Sequence, residues 1–260
     1  INMKTIYYYQ SFCGLEKLNS HVQDIDTIIL SSIHFSSYKN DPYIHLNNYD
    51  PESPRFDSVW IELQKLYEQG VEIILMVGGA GGAYKALFSD FDLYYPLLFK
   101  LLKKKNIITG IDLDIEESVD INDVKKLINQ LIKDFGENFS ITMAPVSYAL
   151  MNDGAGLGGF SYKELYNSPE GKYIKWFNTQ CYGSYTLDTY DKIIKNGYPA
   201  DKIVFGMLGG DYADFTKSMT EIKKVKDKYS DMKGVFIWEY IQAPPNKTDP
   251  SEWCKLIKGI

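Results

Sequence analysis

Short, nearly continuous apolar runs alternate with longer stretches in which apolar residues recur every three or four positions. The runs at 5–10, 27–35, 72–77, 107–115, 140–145, 176–182, 203–208 and 234–238 are rich in Ile, Val, Phe and Tyr, and they predict eight strands covered on both faces. The stretches at 55–69, 92–105, 121–135, 187–196 and 214–229 predict helices on the 3.6-residue period. Asp120 offers a capping oxygen ahead of one of them, and Gly70, Gly136 and Gly197 stand where glycine ends a helix. Such alternation implies a parallel sheet, and eight units in 260 residues match an α/β fold of the (β/α)8 TIM barrel type. A doubly wound sheet competes on the same alternation, but no GxGxxG follows the first strand. The expectation is a single domain over residues 1–260.

Composition narrows the function. The formal net charge is −6 with a pI near 5.2, and the basic residues are scattered, which argues against nucleic acid or a membrane surface as partner. No apolar run approaches a membrane span. The cysteines Cys13, Cys181 and Cys254 and the histidines His21, His34 and His45 lack metal-ligand spacing, so no metal and no cofactor is expected. The chain enters an apolar run at Ile6 with no basic-then-apolar leader before it, which leaves its compartment open.

The fourth predicted strand breaks its own pattern. In I-D-L-D-I-E, Asp112, Asp114 and Glu116 alternate with Ile111, Leu113 and Ile115. If the aliphatics face the helices, the three acids form a row from the barrel interior to its mouth, where barrel active sites lie. Alternate residues are about 6.6 Å apart along a strand, so the row spans roughly 13 Å, too far for one metal ion. Crowded carboxylates cannot all ionise; at least one keeps its proton near neutral pH, as general-acid catalysis requires. The competing structural reading pairs one acid with a core cation and sends the others to solvent.

At these residues the sequence resembles the family 18 glycoside hydrolases, the chitinases and their relatives. Thr109-Gly-Ile-Asp-Leu-Asp-Ile-Glu116 is similar to their DxxDxDxE signature. Met76-Val-Gly-Gly79 resembles the SxGG segment, Met143-Ala-Pro145 the MAP segment, Gln180-Cys-Tyr182 the segment with an essential Tyr, and Trp238 the floor of the sugar site. The resemblance implies hydrolysis of β-1,4 links between N-acetylglucosamine units, in chitin or chitooligosaccharides, by a retaining, substrate-assisted route. Glu116 would be acid and then base, Asp114 would orient the attacking acetamide, Asp112 would share a proton with Asp114, and Tyr182 would bond the acetamide oxygen. Substrate-binding candidates are Trp238, Gln180, Met143, Gly79, Tyr7 and Phe35, with Tyr148 a further one and Phe35 equally fit for the core. The segment between 208 and 234 leaves no room for the insertion domain of larger chitinases, so the cleft should be open. A secreted monomer is the corresponding expectation.

Thr109 and Met76 depart from the family pattern, which has Asp and Ser there, and both are expected off the catalytic row. Gly183 replaces the Asn or Asp of many relatives. Two other readings use the same residues: an endo-β-N-acetylglucosaminidase acting on N-glycan cores, and a catalytically silent lectin or inhibitor.

Overall fold

The computed structural model describes residues 3–260. Nine strands form one sheet: β1 (Lys4–Tyr9), β2 (Thr27–Tyr38), β3 (Asp41–Leu46), β4 (Glu72–Gly78), β5 (Ile108–Asp114), β6 (Ser140–Met143), β7 (Ile174–Gln180), β8 (Ile203–Leu208) and β9 (Gly234–Trp238). Eight of them pair in parallel, and β1 pairs with both β2 and β9, which closes a (β/α)8 barrel. The ninth, β3, is absent from the expected set; it runs antiparallel to an extension of β2 that passes beyond the barrel. Helices surround the barrel: α1 (Asp57–Glu68), α2 (Tyr84–Ser89), α3 (Phe91–Lys104), α4 (Ile121–Phe135), α5 (Ser147–Met151), α6 (Tyr162–Asn167), α7 (Leu187–Lys195), α8 (Phe215–Lys228) and α9 (Ser251–Lys258). Between β8 and β9 the only helix is α8.

The strand period of two sorts apolar residues into two cores. Ile6, Tyr8, Ile29, Ile74, Met76, Trp176, Val204 and Phe236 fill the lumen, whereas Tyr7, Ile28, Leu30, Ile73, Leu75, Ile111 and Leu113 join the larger cluster under the helices. Gly206 makes this filling possible, because a Cβ there would stand 2.0 Å from the Phe236 ring. On the outside, α4 shows how a helix docks. Asp120 accepts a hydrogen bond from Asn122 N at 2.8 Å, and Val124, Leu127, Ile128 and Leu131 form a buried stripe. Each such side chain contributes about 1.5–3 kcal/mol on burial. Gly136, at φ +90°, then ends the helix.

Candidate active site

The same alternation that packs Ile111 and Leu113 outward turns Asp112 and Asp114 into the lumen, 0% and 5% exposed. The strand ends at Asp114, and Glu116 follows on the loop, half-buried. Asp112 sits at the base of the row. Tyr8 OH donates to its Oδ2 at 2.6 Å, and Thr142 Oγ1 and Asn178 Nδ2 donate to Oδ1 at 2.6 and 3.1 Å. Burial raises its carboxyl above the usual range, and the three donors offset part of that rise. Asp114 has fewer donors. Burial first, then the charges of Glu116 and Asp112 and a hydrogen bond with Glu116, raise it well above the carboxylate range. These effects favour the neutral form of Asp114 over the ionised one.

A cavity of about 260 Å³ opens over this row. Asp114, Glu116, Gln180, Tyr182, Gly79 and Trp238 line it. Gln180 Nε2 donates to Ala144 O at 2.7 Å and stands 3.5 Å from both Asp114 Oδ1 and Glu116 Oε1, so it bridges the two acids. Burial and the nearby carboxylates raise the Tyr182 phenol, which remains an O–H donor. Tyr8 packs between Phe236 and Trp238, with ring centroids 5.0 and 5.1 Å away, which props the Trp238 ring at the cavity wall.

The rim is fixed by backbone ties. Gly78, Gly79, Gly81 and Gly82 all have positive φ, and a Cβ on Gly78 would lie 2.1 Å from Asp114 O. Glu117 accepts from Ala83 N and Tyr84 N, both at 2.5 Å, and holds this loop against the end of β5. Glu239 accepts from Gln10 N, Ser11 N and Ile241 N at 2.8, 3.0 and 2.8 Å, joining the ends of β1 and β9. Among the described residues no group of three or more His, Cys, Asp or Glu is placed to hold a metal ion.

Four expected positions lie elsewhere, and a fifth points the other way. Tyr7 faces the helices, donating to Pro250 O at 2.6 Å and packing on Trp253; its neighbour Tyr8 takes the inward place. Phe35 packs outward on Tyr94, because the register of β2 shifts between Leu30 and Ile33 and moves Ser32 and His34 to the inner side. Met143 lies in the outer cluster, since Thr142 is the β6 residue that turns in to meet Asp112. Tyr148 is on α5, 64% exposed and away from the cavity. Met76 pairs in register with Asp112 and lines the cavity, instead of standing off the row. Thr109 stays near the start of β5, outside the lining.

No family model matches the chain. Over 90% of its length it is 26% identical to Chitinase 2 of Rhizopus oligosporus, and it spans 47% of that relative, about half. Among solved structures, a fungal endo-β-N-acetylglucosaminidase of glycosyl hydrolase family 18 is 28% identical with a TM-score of 0.87, covering 98% of this chain and 96% of the other. The chitinase ChiC of Aspergillus fumigatus is 26% identical with a TM-score of 0.85, covering 95% and 94%. With the closed barrel and the acid row of β5 on the page, the chain is similar in sequence and fold to chitinases and to an endo-β-N-acetylglucosaminidase of glycoside hydrolase family 18.

Proposed function

We propose that the chain is a glycosidase that hydrolyses the β-1,4 link between N-acetylglucosamine units, with Glu116 as general acid and base. The observation that carries this reading is the pair of Asp114 and Glu116 in one cavity lining, with the buried Asp114 carboxyl raised well above the carboxylate range by burial and by its acidic neighbours. A buried carboxyl that resists ionisation is a poor enzyme nucleophile, so in this reading the nucleophile comes with the substrate. The acetamide of the sugar on Trp238 supplies it. Glu116 protonates the glycosidic oxygen while the acetamide carbonyl oxygen attacks the anomeric carbon, and the C–O bond breaks to release the leaving sugar. Asp114 and Tyr182 hold the acetamide, and Asp114 supports the positive charge of the oxazolinium. Water then adds to the anomeric carbon and gives its proton to Glu116, so the configuration is retained. Asp112, fixed by three donors, holds the base of the row beneath Asp114.

A second reading, cleavage of the chitobiose core of N-glycans, is favoured by the likeness to the fungal endo-β-N-acetylglucosaminidase over nearly the whole of both chains. One experiment separates the readings. Wild type and Glu116→Gln are incubated with chitooligosaccharides and with a high-mannose glycoprotein, and fresh products are followed by NMR. Release of a β-anomer by wild type alone supports the mechanism, and the cleaved substrate names the activity. Binding without cleavage of either substrate defeats the enzyme reading in favour of a lectin. Equal cleavage by both proteins removes Glu116 from its role.

A further inference from the structure

The extension of β2 and its partner β3 form a hairpin whose two faces do different work. One face covers the helix layer: Phe35 meets Tyr94, and Leu46 is buried in the outer core. The other continues the line of Ser32, which lines the cavity. In this register His34 is paired with His45 and Ser36 with Tyr43, so all four share that face. Their rings form a row: the His34 and His45 imidazoles stack at 5.6 Å and 14°, and the Tyr43 ring follows at 5.7 Å from His45. Tyr43 is 45% exposed.

Both imidazoles are held at both nitrogens. His34 Nε2–H donates to Ala80 O at 3.3 Å and its Nδ1 faces Ser32 Oγ at 3.4 Å. His45 Nδ1–H donates to Asn47 O at 2.5 Å and its Nε2 faces Ser36 Oγ at 3.1 Å. A carbonyl only accepts, so each ring keeps an N–H on its carbonyl side and is fixed in orientation. Burial lowers the His34 pKa. Ala80 and Gln10 line the cavity, and Gln10 Nε2 donates to Asn47 Oδ1 at 3.2 Å. The ring row therefore runs without a break into the cavity rim, with amide edges beside it.

We propose that this face is an accessory binding platform for a glycan chain, on which neutral hexose or N-acetylhexosamine units stack while the scissile link sits at Glu116. The proposal rests on the glycosidase reading for the occupant of the cavity. Flat rings suit the apolar C–H face of a pyranose, and the amides of Gln10 and Asn47 suit its hydroxyls. Continuity with the cavity selects a longer piece of the same substrate as the occupant.

The test uses Glu116→Gln protein, which leaves the ligand intact, alone and combined with Tyr43→Ala or Tyr43→Phe. Each is titrated with N,N′-diacetylchitobiose, chitohexaose and a high-mannose N-glycan. Tyr43→Ala should weaken at least one of the two longer ligands by roughly threefold to tenfold, as loss of one stacked ring implies. Chitobiose affinity should not change, and Tyr43→Phe should behave as the parent. The proposal is overturned if the longer ligands bind the parent no better than chitobiose, if Tyr43→Ala leaves them unaffected, or if chitobiose weakens equally. Loss of affinity in Tyr43→Phe equal to that in Tyr43→Ala overturns stacking as the contact. Cleavage by the wild type is measured separately: a length-dependent loss in a wild type that cleaves nothing leaves the platform standing and removes the glycosidase reading.

Discussion

Removing one oxygen atom tests how the base of the acid row is held. In Tyr8→Phe the ring keeps its packing on Phe236 and Trp238, and only the hydroxyl that donates to Asp112 Oδ2 at 2.6 Å is lost. Thr142 and Asn178 remain on the other carboxylate oxygen. A hydrogen bond to a charged group contributes about 1.5–3 kcal/mol, and the freed oxygen is buried where water cannot easily replace the donor. For a chain of this size that corresponds to a drop in Tm of about 3–10 °C near neutral pH. The pH dependence carries the sharper sign. Burial already raises the Asp112 carboxyl, and loss of a donor raises it further. A carboxyl raised by folding costs stability as pH climbs from its unfolded value, about 3.9, to its folded value. The difference between wild type and Tyr8→Phe should therefore be small near pH 4 and grow towards neutrality. Thermal melts by circular dichroism from pH 4 to 8 measure it. An equal Tm difference at both ends of that range, or none at neutral pH, would refute a Tyr8 hydroxyl that favours the Asp112 carboxylate.

Asp114→Asn should abolish cleavage yet raise Tm above wild type as pH increases past the ordinary carboxyl range, because it removes a buried acid whose pKa is raised; a lower Tm than wild type at pH 8 contradicts this. Tyr7→Phe, one position away from Tyr8, loses bonds with Pro250 O and Cys254 N and should cost about 1–2 kcal/mol by denaturant titration while kcat/KM stays unchanged. A fall in its kcat/KM without a stability loss would put Tyr7 back in the cleft. Glu117→Ala frees the amides of Ala83 and Tyr84, so hydrogen exchange there should quicken and KM should rise as the Gly78–Gly82 loop loosens; unchanged exchange would show that the carboxylate does not hold the loop.

The barrel and the acid row are legible in the sequence because both follow a strict period of two set against aliphatic neighbours. Where periodicity was locally degenerate or interrupted, it misled. Tyr7, Tyr8 and Tyr9 put an aromatic at either parity, so only the packing of Ile6 with Tyr8 in the lumen decides which ring faces in. On β2 the inward parity of Ile29 would carry on to Phe35, but the register shift between Leu30 and Ile33 reverses it and sends His34 inward. The hairpin escaped notice because its turn residues, Lys39 and Asn40, take positive φ without a glycine, and Pro42 reads as a strand breaker. Glu117 and Glu239 act through backbone amides of distant segments, which leave no local pattern.

The seam of the barrel sets an order of events during synthesis. β9 is the last strand made, and it supplies both the pairing that joins β1 to β8 and the Trp238 wall of the cavity. A nascent chain halted before Gly234 has two unpaired sheet edges, at β1 and β8, and a site with no floor. The ribosome thus withholds the cavity until the last strand of the barrel has emerged. Ribosome-stalled chains ending before Gly234 should bind no oligosaccharide, whereas binding by such chains would show that the floor is dispensable.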